Sequence, residues 1–294
     1  MKSRLYAFAA QGGAGAVAGR DYAVVEKQLH ELTAECESRL KAGADALDVV
    51  EHAVAEMERS GLYVAGRGSA PNTAGYVELD ASIMDGPTRN AGAVAAITGV
   101  VNPVSVARRV MQETSHVLLA GKGALAFARE QGCEEVADPD SYYVLPVGVY
   151  EDEIYEQKHG TVGAVALDQS GGMAAATSTG GTFGKLEGRI GDTPLIGAGT
   201  WADEDIAISC TGMGEDIIRA GGVVTIAYMI KAGATPAAAI DQMLAEVKKL
   251  GGDGGVIVVT KDGEIVMTYN SAGMKRASVS SRQAPVVATF ADLE

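Results

Sequence analysis

Apolar positions along the chain follow two rhythms, one helical and one strand-like. Leu5 to Ala10 is a short continuous apolar run closed by Gly12-Gly13-Ala14-Gly15, which predicts a buried strand entering a glycine turn. From Asp21 to about Ala42, Val25, Leu29, Leu32 and Cys36 recur at helical spacing. A second helix is predicted from Asp45, with Leu47, Val50, Val54 and Met57 on one face. Gly66-Arg67-Gly68-Ser69 reads as a loop, and the alternation from Tyr76 to Met84 as a strand. Asn102-Pro103 and Thr235-Pro236 each place an N-cap residue before a proline at the first helical position, and the second of these helices ends at Gly251-Gly252. The predicted order is β-α-α-β-β-α-β-α through about residue 131, then strands, then helices near 214–250, then strands over 255–260 and 265–270. Strand pairs followed by helix pairs point to a sheet-rich layered α/β fold rather than regular βαβ repetition. Between Glu134 and Gly160 the periodicity fails. Two prolines, a run of acids and four tyrosines there predict a linker or an irregular surface loop.

Composition narrows the function classes. The 294 residues are 47% hydrophobic and 21% charged, an ordinary globular mix with enough apolar content for a sizeable core. The 38 glycines and the 5% aromatic content point to tight turns and small-residue packing. A formal charge of −14 argues against nucleic acid or an anionic membrane surface as partner. Cys36, Cys133 and Cys210 lie far apart, and His30, His52, His116 and His159 are equally scattered, so neither a zinc site nor a disulfide framework is expected. The N-terminal apolar run of about five residues is shorter than the roughly 7–15 of a signal-peptide core, and no stretch approaches a membrane span. A cytoplasmic protein is expected.

The chemistry concentrates after the aperiodic stretch. Thr161-Val-Gly-Ala-Val-Ala-Leu-Asp168, then Gln-Ser-Gly, then Gly172-Met-Ala-Ala-Ala-Thr-Ser-Thr179 fits a hairpin whose third loop residue has positive φ. If Asp168 faces Gly172, the register carries Thr161 opposite Thr179. Cross-strand threonine pairs are also ordinary sheet stabilisers. Here the pair is followed by Gly180-Gly181, by Gly188-Arg189-Ile190-Gly191-Asp192-Thr193-Pro194, and by Ser209-Cys210-Thr211-Gly212-Met213-Gly214-Glu215. Flanking glycines let backbone amides approach a small ligand. A hydroxyl nucleophile, an Arg/Asp pair and a Thr-Gly with oriented amides suit amide hydrolysis.

In order and spacing, HGTVGAVALD, AAATSTGG, GRIGDTPLIGAGT and SCTGMGE resemble the plant-type asparaginase/isoaspartyl peptidase family. Leu79-Asp80 through Asp85-Gly86, Asn102-Pro103 through Gly121, Gly251 through Gly255 and Asn270 through Met274 extend the likeness over nearly the whole chain. The resemblance implies a four-layer αββα Ntn-hydrolase, a single domain over 1–294 that cuts itself between Gly160 and Thr161 into 1–160 and 161–294. It implies Thr161 as nucleophile and Thr179 as its hydrogen-bonding partner. Thr211 and the Gly212 amide would form the oxyanion hole, and Arg189 and Asp192 would hold the α-carboxylate and α-amine of a β-aspartyl substrate. It further implies no catalytic cofactor, a structural sodium ion held by backbone carbonyls of the loop near Gly66, and an (αβ)2 assembly.

Two positions depart from the family pattern. Gln11 replaces the histidine of His-Gly-Gly-Ala-Gly, and Val64 replaces the asparagine of Asn-Ala-Gly-x-Gly. Arg67, in the same loop, reads either as an exposed charge or as a partner for the carboxylate of a leaving amino acid. Two rival readings stand beside the amidohydrolase. Gly13-Ala-Gly15-Ala-Val-Ala18 after a strand, with Glu35 and Glu37 some 20 residues on, fits a dinucleotide-binding fingerprint. A non-enzymatic protein retaining the Ntn fold is the other.

Overall fold

A computed structural model describes residues 5–150 and 160–291. The expected linker therefore falls in part, at residues 151–159, outside the described residues. In chain order the elements are β1 (Ala7–Gln11), α1 (Ala23–Lys41), α2 (Ala46–Ser60), β2 (Leu79–Asp85), β3 (Ala91–Ile97), α3 (Pro103–Glu113), β4 (Leu118–Ala120), α4 (Gly121–Glu130) and α5 (Pro139–Tyr142). After Gly160 follow β5 (Val162–Leu167), β6 (Met173–Thr179), β7 (Thr200–Ala202), β8 (Ile206–Gly212), α6 (Gly214–Arg219), α7 (Val223–Lys231), α8 (Pro236–Lys249), β9 (Gly254–Thr260), β10 (Ile265–Tyr269), β11 (Arg276–Ser280) and β12 (Gln283–Ala288).

The strands form two sheets, β12-β11-β1-β5-β6-β2-β3-β4 and β10-β9-β8-β7. Period-2 alternation explains how they stack. In β1, Phe8 and Ala10 face the core shared with α1, α2 and α3, while Ala7 and Ala9 face the second sheet. Both faces are buried, which is why the sequence there is continuously apolar rather than alternating. In β8, Ile206, Ile208 and Cys210 pack against α6, α7 and α8, and Ala207 points to the other sheet. Alanines dominate the seam between the sheets, where Val165, Leu167, Met173 and Ile257 supply the bulk. Helices, large sheet, small sheet and helices thus make the four-layer αββα sandwich expected from the sequence.

The β5–β6 hairpin adopts the expected register, with Val162 opposite Ser178 and Leu167 opposite Met173. Gly171 in its loop has φ +90°. Asp168 fixes both ends of this loop. Its Oδ1 accepts from the amides of Ser170 (2.8 Å) and Gly172 (2.9 Å), and its Oδ2 accepts from the Ala46 amide at the start of α2 (2.9 Å).

Asn102 and Pro103 open α3 as expected, with Asn102 at the N-cap and proline in the first turn, but the Asn102 side chain makes no capping bond: its Nδ2 donates to Ala55 O and Glu58 Oε2, and Glu58 Oε1 accepts the Val104 amide instead. Burial forces that exchange, since an acid on the neighbouring helix can take both the amide and the carboxamide. It also pushes the Glu58 carboxyl up to about 8. The strand expected from Tyr76 begins at Leu79, because Asn72 Oδ1 draws the amides of Ala74 and Tyr76 into a turn. The dinucleotide-binding reading fails, because β1 pairs antiparallel with both β5 and β11 and no parallel βαβ unit follows its glycines. Thr235 does cap α8, accepting the Ala238 amide at 3.3 Å. No helix among the described residues is long and apolar enough to cross a membrane.

Candidate active site

The ends of β5, β6 and β8 and the loop from Gly188 to Asp192 converge on one small cavity. Gly160, Thr161, Thr179, Gly181, Thr182, Arg189, Gly191, Asp192 and Gly212 line it, and it encloses only about 10 Å³. That is room for about one water molecule. The Gly160–Thr161 peptide forms part of the cavity wall.

Thr161 immediately precedes β5 and is almost fully buried, as is Thr179 at the end of β6. Thr161 Oγ1 donates to Thr179 Oγ1 at 3.4 Å. Thr179 Oγ1 in turn donates to the carbonyl oxygen of Gly160 at 2.5 Å and accepts from the Gly181 amide at 2.9 Å. One hydroxyl therefore links the candidate nucleophile to the carbonyl of the expected scissile bond. Gly13 packs on the other side: a Cβ there would lie 3.3 Å from both the nitrogen and the oxygen of Thr161. Gly160 is held by Val64, whose Cγ2 and Cβ would be 2.5 Å and 2.6 Å from an added Cβ. Val64 is anchored through its own carbonyl, which accepts the Gly180 amide at 2.9 Å.

Thr211 is fully buried, and its Oγ1 accepts the Ala14 amide at 3.3 Å, which leaves the hydroxyl hydrogen to donate elsewhere. Gly212 has φ +150°, and a Cβ there would sit 2.3 Å from Asp253 O, so this position requires glycine. Gln11 is buried and spends its Oε1 on the Gly13 amide (2.7 Å), bracing the turn that touches Thr161.

Arg189 and Asp192 line the same cavity as Gly160. The guanidinium is oriented by Glu215 through two parallel bonds, Nε to Oε1 at 2.8 Å and Nη2 to Oε2 at 2.6 Å. Its Nη1 faces the gap between Gly181 and Gly191, where added Cβ atoms would approach it to 3.4 Å and 2.9 Å. Asp192 Oδ2 accepts from the Cys210 thiol at 3.3 Å. Burial pushes its carboxyl up to about 6, against the pull of the thiol and of Arg189. Behind Arg189, Lys185 is buried and donates to the Glu78 carbonyl at 2.8 Å. Burial lowers its pKa, with Asp80 and Glu78 opposing. Glu78 also receives the Gly188 amide at 3.1 Å, tying down the start of the loop that carries Arg189.

Sequence reasoning missed Glu215, Asp80, Lys185 and Glu78 as supports. Asp80 carried a usable signal, an acid just inside the start of the largely apolar β2, where its Oδ1 accepts the Ala96 amide at 2.8 Å. The ligand role weighed for Arg67 is corrected. Arg67 is exposed, its Nε donates to Tyr142 O at 3.1 Å, its guanidinium lies 5.9 Å from the Tyr142 ring, and it does not line the cavity.

A family model described as Asparaginase matches residues 4–144 and 140–289. The chain is 41% identical to an isoaspartyl peptidase of Salmonella typhimurium over 292 residues, covering 92% of this chain and 93% of that protein. It is 40% identical to an isoaspartyl peptidase/L-asparaginase of Mus musculus, covering 92% of this chain and 86% of the relative. The human isoaspartyl peptidase/L-asparaginase is 42% identical, with 81% of each chain covered. The likeness spans both halves of the chain, on either side of the threonine pair, and places it in the asparaginase family of Ntn-hydrolases.

Proposed function

We propose that the chain is an amidohydrolase of isoaspartyl peptides and L-asparagine, activated by its own cleavage before Thr161. The observation that carries this reading is the Thr179 hydroxyl, bonded at once to Thr161 Oγ1 and to the Gly160 carbonyl. Thr161 Oγ1 attacks the Gly160 carbonyl carbon while Thr179 polarises its oxygen. The C–N bond breaks, the nitrogen takes up the proton, and an ester joins Gly160 to Thr161 Oγ1. Water then releases the Gly160 carboxyl and restores the hydroxyl. The nitrogen of Thr161 changes from an amide, which cannot accept a proton, to an amine with a pKa near 8 that can deprotonate its own Oγ1.

With Gly160 gone the cavity admits an aspartyl group. Its α-carboxylate pairs with Nη1 of Arg189, the nitrogen that Glu215 leaves facing the cavity, and its α-ammonium pairs with Asp192. The side-chain carbonyl then meets Thr161, and the Thr211 hydroxyl and Gly212 amide stabilise the oxyanion. The acyl-enzyme forms with loss of ammonia or an amino acid, and water completes the turnover.

In the loop near Gly66, the carbonyls of Tyr63 and Gly61 both lie against Gly68, 1.9 Å and 3.0 Å from where its Cβ would stand. The Tyr63 carbonyl already accepts the Ala65 amide at 2.8 Å, and a structural sodium ion held by other carbonyls of this loop is proposed on the family likeness alone. We further propose an (αβ)2 assembly. A reducing, cytoplasmic setting accords with the free thiols of Cys36, Cys133 and Cys210. The test is intact mass spectrometry of purified protein alongside turnover of β-aspartyl dipeptides and asparagine. Fragments 1–160 and 161–294 with an N-terminal threonine are expected, and full activity from an uncut chain would overturn the mechanism.

A further inference from the structure

The seam between the two sheets is rich in alanine, yet next to the site it holds a file of hydroxyls. Thr177 Oγ1 lies 2.8 Å from Ser209 Oγ and 2.5 Å from Thr200 Oγ1. Thr200 Oγ1 lies 2.8 Å from Ser82 Oγ, which also meets the Thr193 carbonyl at 2.6 Å. All four side chains are fully buried, and they come from β6, β8, β7 and β2. Thr177 and Ser209 stand two residues before Thr179 and Thr211, one step deeper on the same faces of their strands. Thr193 directly follows Asp192. The file thus runs from beneath the site threonines to the backbone of the substrate clamp.

Its end group fixes the direction of every bond. A hydroxyl has one hydrogen, and the Thr193 carbonyl can only accept. Ser82 therefore donates to Thr193, Thr200 to Ser82, Thr177 to Thr200 and Ser209 to Thr177. Ser209 is left with lone pairs and needs a donor. Gln11 has the complementary deficit. Its Oε1 is spent on the Gly13 amide at 2.7 Å, and its buried Nε2 has no hydrogen-bond partner among the described residues. Donor and acceptor face the same spot. Gly163 is the register partner of Gln11, and a Cβ on it would stand 2.0 Å from Ser209 Oγ and 2.9 Å from Gln11 Nε2.

Resting on the function proposed above, we propose that Gln11 is a positioning residue whose Nε2 is the donor at the head of this file. Its Oε1 holds the turn that packs on Thr161, so one carboxamide couples the nucleophile to the clamp residue Asp192. The position demands an acceptor toward Gly13 and a donor toward Ser209 on one side chain. A neutral imidazole meets the same demand, with one ring nitrogen accepting and the other donating. A hydrocarbon side chain meets neither half and strands both the Gly13 amide and Ser209.

The experiment measures kcat, KM and Tm for Gln11→Met, Ser209→Ala, the double variant and Gln11→His, with a β-aspartyl dipeptide as substrate. Loss of alignment at Thr161 should lower kcat by about tenfold in each single variant and leave KM nearly unchanged. The double variant should be no slower than the slower single one, because the two residues act as a unit. Gln11→His should recover most of the loss. Any variant that does not mature is compared by its rate of self-cleavage, which depends on the same Thr161 hydroxyl. Wild-type kcat in Ser209→Ala with only Tm lowered, or single losses that multiply in the double variant, overturns the coupling and leaves the amidohydrolase standing. So does a Gln11→His enzyme as slow as Gln11→Met. A matured wild-type enzyme that cleaves neither β-aspartyl dipeptides nor asparagine overturns the proposed function as well.

Discussion

Replacing Gly160 by alanine tests whether the uncut chain is held in a geometry made for cleavage. The added Cβ would stand 2.5 Å from Val64 Cγ2 and 2.6 Å from Val64 Cβ. Carbon atoms in good contact sit at about 3.5–4.0 Å, so the two residues must separate by about 1 Å. Neither contacted atom is the free end of a long side chain, and the Val64 backbone is pinned by the Gly180 amide. Gly160 therefore moves, and its carbonyl leaves the 2.5 Å bond from Thr179. Overpacking of this kind costs about 1–3 kcal/mol. A misplacement of about 1 Å at reacting atoms costs up to about 100-fold in rate. The half-time of processing, followed by intact mass after synthesis, should lengthen by about 10- to 100-fold. Crowding that acted only as strain relieved by cleavage would have the opposite sign. Processing at the wild-type rate or faster therefore refutes the argument. Adding Val64→Gly removes all three valine carbons near the new Cβ and should recover much of the lost rate. A double-mutant cycle then assigns the effect to this contact.

Four further outcomes follow from the same site. Thr161→Ala should remain a single 30.1 kDa chain with no activity, checked by gel and mass. Arg189→Ala should fold but lose about 2–5 kcal/mol of transition-state stabilisation in kcat/KM, because a desolvated charged pair loses one partner. An N-acetylated β-aspartyl peptide should be a poor substrate of the wild type, since Asp192 would face no cation. Asp192 has its carboxyl raised from an ordinary 3.8 to about 6, so the stability it contributes is full below about pH 4 and is lost as pH rises through 6. Asp192→Asn should therefore raise Tm at pH 8, by a margin worth up to a few kcal/mol, and raise it less at pH 5, while amine capture is lost.

The sequence showed the site best where the geometry is local. Thr161 and Thr179 are joined by a hairpin whose register follows from three loop residues and a glycine at positive φ, so their encounter could be read from spacing alone. The apolar runs of β1, β5 and β6 were equally plain, because strands covered on both faces leave no polar alternation to confuse them. β11 and β12 escaped notice for the opposite reason. They carry Arg276, two serines, Gln283 and Pro285, and a register shift interrupts their pairing between Ser278 and Ser280. Pro285 is tolerated because β12 is an edge strand. Supports of the substrate clamp were hidden by distance along the chain. Glu215 lies 26 residues from the arginine it orients, and Glu78 lies 110 from the glycine amide it fixes. Arg67 shows the limit most sharply. Its place in a glycine loop suited a pocket as well as a surface, and the decision came from Tyr142, 75 residues away.

The departures at positions 11 and 64 act on different halves of the reaction. Gln11 keeps a side-chain acceptor on the Gly13 amide, so the turn packed against Thr161 stays braced with the family histidine replaced. It offers no group that titrates near neutral pH, and the pH dependence of turnover then rests on the Thr161 amine and on Asp192. Val64 acts earlier and on the other side. Its backbone carbonyl still receives the Gly180 amide, so the loop holds the residue after Thr179 whatever side chain it carries. The side chain itself can only press on Gly160, having no polar atom with which to bind it. Retention of Gly160 after cleavage is thus opposed, because its new carboxylate would lie against valine carbons without a hydrogen-bond partner there. Substituting asparagine for Val64 would give that carboxylate a donor. Val64→Asn should accordingly slow release of the 1–160 C-terminus from the site, visible as a lag between chain cleavage and the onset of turnover in a freshly matured sample. Cleavage and activity rising together in Val64→Asn, as in the wild type, would show that valine at this position has no part in clearing the site.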